Sequence, residues 1–198
     1  MNHQTDMPAG RIVSSDSEEL ILVDADDRET GHLDKGRCHD GEGVLHRAFS
    51  VFLFNARGEL LLQQRAAGKR LWPLYWSNSC CSHPRRGEDM DEATTRRLEQ
   101  ELGLRASVEF VYKFTYQAQF GEAGAEHELC WVYLGRADGE PAPNPTEIAA
   151  VRFIAADELD RELATHGERF TPWFKLEWRR LRGEHAARLA RYAAPQPT

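Results

Sequence analysis

Residues 77–104, SNSCCSHPRRGEDMDEATTRRLEQELGL, constrain the fold more than any other stretch of the chain. They open as loop, with small polar residues, two adjacent cysteines, a histidine and a proline. They then turn into a helix. Asp89 or Asp91 can cap it, acids crowd its first turn and bases follow, the order a helix dipole favours. Met90, Thr94, Leu98 and Leu102 recur every four residues, so one face packs on a core. Gly103 supplies the stop. Arg97 and Glu101 stand four apart and share a second face. A thiol, an imidazole, a guanidinium and a carboxylate are thus gathered around one loop–helix junction.

The ending RRLEQELGL resembles the Nudix box, a loop–helix whose glutamates hold magnesium against a diphosphate. The match is partial. Ser82 stands where the pattern has glycine. Glu88 matches its first glutamate and Arg96 its arginine, but Arg97 occupies a glutamate position and Gln100 replaces another. Glu101 is the one metal-binding carboxylate left in the second half. A Nudix hydrolase needs clustered carboxylates to hold metals and place an attacking water. The resemblance therefore implies the scaffold, with something other than hydrolysis done to a diphosphate.

Around this stretch the chain reads as short strands with few helices. Strands are expected at 20–23 and 32–35, separated by a turn, and residues 36–43 read as glycine-rich loop. Strands at 48–54 and 59–64 flank the turn NARG. The basic loop RAAGKR and the aromatic run LWPLYW lead into the opening stretch. Strands follow at 108–120, 126–134 and 151–154, then a helix at 157–165. Thr171 and Pro172 open a last helix toward residue 190. The sum is an α+β domain over 18–192, with a loose N-terminal segment at 1–17 and a frayed tail at 193–198.

A chain of 198 residues suffices for one domain with a real core. A net charge of −7 argues against nonspecific nucleic-acid binding. No apolar run approaches the ~20 residues that span a bilayer, and the N-terminus has no signal-like apolar region. Four cysteines, two adjacent, do not look like a disulfide framework, so a reduced, cytoplasmic setting with free thiols is expected. A monomer is expected, since no exposed apolar helix face stands out.

Glu126 and Glu128 lie two apart on a strand and face one side. Two such carboxylates repel unless a cation lies between them. An isolated E-x-E is ordinarily a solvated strand edge, but the apolar LCWV that follows carries this strand into the core. His39, His46 and His83 are candidate imidazole ligands, each ordinary on its own. With the two glutamates they make an N/O set suited to Zn²⁺, Mn²⁺ or Fe²⁺. Cys81 reads as nucleophile or ligand, and Cys80 as a small buried residue. Arg65, Lys69 and Arg97 either activate the thiol or grip a phosphate. Trp173 is packing, or an aromatic face over a cationic intermediate.

Taken together, TGHLDKGRCH (30–39), LHRAF (45–49), QRAAGKRLWPLYWSNSCCSHP (64–84), RRLEQELG (96–103), EHELC (126–130) and TPWF (171–174) resemble the type 1 isopentenyl-diphosphate:dimethylallyl-diphosphate isomerases. The likeness runs from about residue 20 to 182. It implies a Nudix-like fold of mixed sheets flanked by helices. Cys81 matches the catalytic cysteine, Glu128 and Tyr116 the acid side, and Trp173 the aromatic facing the carbocation. His39, His46, His83, Glu126 and Glu128 match the ligands of a first metal, zinc or manganese. Glu101 and the Cys81 carbonyl match the site of a diphosphate-bridging Mg²⁺. Lys35, Arg65, Lys69 and Arg97 match the diphosphate-binding cations, and Trp72 and Trp76 join Trp173 as expected walls of a dry site. The implied substrate is a small isoprenoid diphosphate. Two rival readings are a Nudix hydrolase, which asks for a further carboxylate at position 97 or 100, and a noncatalytic metal-binding module, which has no use for the cation cluster.

Overall fold

A computed structural model describes residues 10–137 and 139–196; the expectations for residues 1–9 and 197–198 lie outside them. The run HRAFSVFLF is apolar at nearly every position, as a strand covered on both faces must be. It forms β3 (His46–Phe54), the middle of a mixed sheet. β8 (Ala125–Arg136) runs parallel to it and sets His46 opposite Glu128. β7 (Val108–Gln119) runs antiparallel to β8 and sets Tyr116 opposite the same Glu128. The other edge of β3 serves three strands in turn. β1 (Glu19–Val23) meets it at His46, β6 (Cys80–Ser82) at 49–51, and β4 (Leu60–Arg65) at Phe54. β2 (Glu29–Asp34) extends β1, while β5 (Trp76–Ser77) and β9 (Ile148–Ile154) pair with β4.

Helices cover both faces, which gives the expected α+β class. On one face α2 (Met90–Leu102) packs Ala93, Leu98 and Leu102 on Phe49, Val51 and Leu53. Asp89 caps α2 in a capping box with Glu92, and Gly103 ends it in the left-handed region at φ 63°. On the other face α3 (Ala156–His166), α4 (Pro172–Gly183) and α5 (Ala186–Ala193) bury Leu159, Phe174, Trp178 and Leu189 against Phe52, Phe54 and Leu60. Among the described residues no helix is long and apolar enough to cross a membrane.

Several expectations are corrected. β2 starts at Glu29 rather than 32. Residues Lys35–Cys38, expected as the last residue of a strand and the start of a loop, form the single turn α1. Its cause is local: the His39 ring donates through Nδ1 to the Lys35 carbonyl, 2.6 Å away, and the Gly36 N–H donates to the Asp16 carbonyl. The last helix breaks after Gly183, where His185 turns to stack on Tyr112 with ring centroids 4.5 Å apart. Residues 11–16, expected to be loose, are tied down: Arg97 donates to the Val13 carbonyl and Asn144 to the Arg11 carbonyl. Gln196, in the expected frayed tail, donates its N–H to Ala56.

Candidate active site

The segment before Cys81, expected as plain loop, is a wedge between two strands. The Ser79 hydroxyl accepts from the Leu53 N–H at 2.8 Å and donates to the Leu61 carbonyl at 2.6 Å, standing in for ladder bonds where β3 and β4 part. The Asn78 amide donates to the Cys80 carbonyl at 2.7 Å. This delivers β6 to the edge of β3 with Cys81 opposite Ser50. Opposed residues point to one face of a sheet. Cys80 therefore points the other way and is fully buried on the α2 side.

On the Cys81 face, His46, Glu128 and Tyr116 form a row across β3, β8 and β7. Glu126 follows two residues away on the same face, as the E-x-E spacing requires. α1 adds His39, and the turn after β6 adds His83. Ligand atoms of His39, His46, His83, Glu126 and Glu128 all lie within 4.8 Å of one another. His39 and His46 each donate through Nδ1 to a backbone carbonyl, which turns both Nε2 atoms inward. His83 Nε2 lies 2.9 Å from Glu128 and His39 Nε2 2.9 Å from Glu126. The Nε2 of His46 is fully buried and has no hydrogen-bond partner among the described residues. Such an inward-facing N/O set, with an unused imidazole nitrogen, fits a divalent cation.

The electrostatics are those of crowded, dry groups. Burial, reinforced by His39, pushes His46 down to about 4. Burial would lower His39 too, but Glu126 overcomes it and raises the ring above its usual value. His39, in turn, holds Glu126 well below the usual carboxylate range despite burial. Burial, then Glu126, raises Glu128 well above that range. Tyr116 donates to Glu128 at 2.6 Å, and burial followed by the Glu128 charge lifts the phenol far above 10. Burial pushes the Cys81 thiol up to about 12, with Arg65 opposing it and Glu101 and Glu128 adding to it.

A cavity of about 300 Å³ opens on this cage and is lined by Cys81, His83, Tyr116, Glu126, Glu128 and Trp173. The same cavity is lined by all four expected cations, Lys35, Arg65, Lys69 and Arg97. Arg65 is anchored by the Leu71 and Trp72 carbonyls, and its guanidinium lies 5.3 Å from the Trp173 ring centroid. Lys35 donates to the Ser14 hydroxyl. Arg97 is buried and donates to Glu101 through Nε (2.9 Å) and Nη2 (2.5 Å), both on Oε1. Glu101 stands behind Arg97 rather than in the cavity lining. Of the three expected tryptophan walls only Trp173 lines the cavity: Trp72 meets Trp173 edge-on at 5.3 Å from outside the lining, and Trp76 lies away from it with Arg152 stacked on it.

Sequence reading missed two contributors. Residues Ile12, Ser14 and Asp16 also line the cavity, as does Glu147, which pairs with Lys69 and Arg97. Neither carries a motif; the one hint is that the loop DGEPAPNP ends just before Glu147. Two positions of the Nudix-box remnant are tied up by Arg96. Glu88 is taken up by Arg96 at 2.5 and 2.7 Å, and Gln100 also accepts from Arg96.

A NUDIX domain is matched over residues 44–174. The isopentenyl-diphosphate Delta-isomerase 1 of Photorhabdus laumondii is 42% identical over 174 residues, covering 87% of this chain and 99% of that one. The chain belongs to the isopentenyl-diphosphate delta-isomerase family. An isopentenyl-diphosphate Delta-isomerase of Burkholderia multivorans is 45% identical over 157 residues, 79% of this chain and 89% of that one. A crystal structure of a Deinococcus radiodurans protein superposes with a TM-score of 0.63 at 24% identity, over 88% of this chain and 99% of that one. A MutT protein from Methanosarcina mazei gives 0.58 at 15% identity, over 71% and 95%. These two show likeness of fold alone. The family assignment agrees with what the quoted motifs implied.

Proposed function

We propose that the cage, Cys81 and the cation cleft act together to interconvert isopentenyl and dimethylallyl diphosphate. The observation that carries this reading is one cavity whose lining joins the four cations, suited to a diphosphate, to Cys81 and the Glu128–Tyr116 pair, which come from strands on the two opposite edges of β3. A nucleoside-diphosphate hydrolase would need further carboxylates in the box, yet positions 97 and 100 are arginine and glutamine and Glu88 is taken up by Arg96.

The alkene is unactivated, so direct removal of a C2 proton is unfavourable. Protonation of the terminal carbon comes first and gives a tertiary cation at C3. We assign that proton to the Tyr116–Glu128 pair, which is joined by a 2.6 Å hydrogen bond and lines the cavity. Loss of the C2 proton to Cys81, which must be the thiolate at that step and is favoured in that form by Arg65, then completes the shift. Trp173 presents its ring to the cation, and Trp72 backs it; a desolvated contact of this kind contributes about 2 kcal/mol. Exclusion of water keeps the cation from being trapped. Lys35, Arg65, Lys69 and Arg97 fix the remote diphosphate, which places the alkene between acid and base.

His39, His46, His83, Glu126 and Glu128 would hold one divalent ion, zinc or manganese, and Glu101 with the Cys81 carbonyl a magnesium on the diphosphate. Positive charge held there would offset part of what burial and the carboxylates set against ionisation of Tyr116 and Cys81. Incubation of the metal-replete protein with isopentenyl diphosphate should yield dimethylallyl diphosphate without inorganic phosphate. Phosphate release in its place would favour the hydrolase.

A further inference from the structure

Four cations in one partly buried cleft repel one another, and each would be better solvated elsewhere. Glu147 lies in the wall of that cleft and is 4% exposed. Its Oε2 accepts from Lys69 and lies 3.4 Å from Arg97 Nη2. Burial alone would raise this carboxyl; Lys69 and Arg97 bring it below the usual range, so it is ionised at neutral pH.

The backbone around Glu147 is as firmly placed as its side chain. The Ala142 and Asn144 N–H groups donate to the Leu102 and Glu101 carbonyls at 2.7 and 2.8 Å, which fastens the turn to the end of α2. Asn144 then closes the turn on itself, accepting from the Thr146 N–H at its side chain and from the Glu147 N–H at its carbonyl. The Glu147 carbonyl accepts from the Ala66 N–H at 2.9 Å, and Ala66 accepts from the N–H of Lys69. One residue thus joins the helix that bears Arg97 to the loop that bears Lys69.

We infer that Glu147 is a positioning residue for the diphosphate cleft: it holds Lys69 and Arg97 side by side and facing the cavity before an anion arrives. Lysine has a flexible four-carbon stem, and fixing it beforehand removes part of the ordering cost of binding. The Glu147 charge opposes the incoming diphosphate. Lys35, Arg65, Lys69 and Arg97 against the lining carboxylates Asp16 and Glu147, with Glu101 behind Arg97, still leave the cleft net positive. The inference rests on the isomerase reading for its substrate, but for its ligand chemistry only on a diphosphate group.

Glu147→Gln keeps the shape and the backbone bonds and removes the charge. With isopentenyl diphosphate the variant should show a KM raised about tenfold, equivalent to about 1.4 kcal/mol, with kcat within about threefold because the reacting carbons lie at the Cys81–Trp173 end. Glu147→Asp, which keeps the charge but draws it back from Lys69, should raise KM about threefold. Calorimetric binding of inorganic diphosphate with Mg²⁺ should weaken about tenfold in Glu147→Gln. That arm needs no turnover. A wild-type protein that binds inorganic diphosphate but fails to isomerise would sink the isomerase reading and leave this comparison intact. Wild-type KM and diphosphate affinity in folded Glu147→Gln would overturn the inference. Tighter binding would overturn it too, as would a loss of kcat at unchanged KM. If Glu147→Gln does not fold, Glu147→Asp decides, and a wild-type KM there overturns the inference.

Discussion

Cys81 is pulled in two directions. Arg65 favours its thiolate, while burial, Glu101 and Glu128 favour the thiol and prevail. Cys81→Ala should cut kcat by about 10²–10⁴-fold, the range of a positioned proton-transfer group, with the melting temperature little changed. Wild-type turnover would remove the thiol from the mechanism. Glu177 gives a second residue-scale prediction. It is fully buried on α4, accepts a weak bond from the Cys130 thiol at 3.4 Å, and burial raises it to about 7 from 4.5. The folded protein therefore keeps this proton up to about pH 7, while the unfolded chain releases it near 4.5. Its contribution is fully present below pH 4.5 and falls away as pH rises toward 7, by about 3 kcal/mol in all. Glu177→Gln should melt higher than wild type at pH 8 and not at pH 5; equal melting temperatures at pH 8 would contradict this. Cys81 was legible from its motif. Glu177 and Glu147 were not, because a single glutamate has no period or spacing to mark its burial.

At the scale of elements, the hairpin between β7 and β8 braces the cage. Gly124 has φ +133°, and a Cβ there would run into the His39 carbonyl, which also accepts from the Ala125 N–H at 3.0 Å. Gly124→Ala should displace His39 and weaken binding of Zn²⁺ or Mn²⁺ by about 10–100-fold, the usual cost of disturbing a ligand's support. Chelator competition would measure it, and wild-type affinity would show that the hairpin does not brace the ligand. The elements themselves were largely legible. The four-residue period of α2, the Asp89 cap and Gly103 marked that helix, and the E-x-E spacing set Glu126 and Glu128 on one face. The turn α1 was hidden because the bond that makes it, His39 to the Lys35 carbonyl, runs from a side chain. The N-terminal segment looked loose because its partners, Arg97 and Asn144, lie more than 80 residues away in sequence.

For the molecule as a whole, the α+β class followed from the alternation of strands and few helices. The parallel pairing of β3 with β8 did not, since periodicity finds strands but not their neighbours. Yet that pairing sets His46 beside Glu128 and makes the cage. Stripping metal with a chelator should abolish turnover and lower the melting temperature, and returning Zn²⁺ or Mn²⁺ with Mg²⁺ should restore both, because a ligand of the folded state stabilises it. A melting temperature indifferent to metal would argue against the cage as an ion site.

The central claim is tested most directly by proton NMR of isopentenyl diphosphate with the metal-replete protein in D₂O. Dimethylallyl diphosphate carrying deuterium in a methyl group is the predicted result, since the terminal carbon takes its proton from an exchangeable group in the site. Dimethylallyl diphosphate formed with no deuterium in that methyl would contradict the protonation route, and unchanged substrate over a folded, metal-loaded protein would contradict the activity.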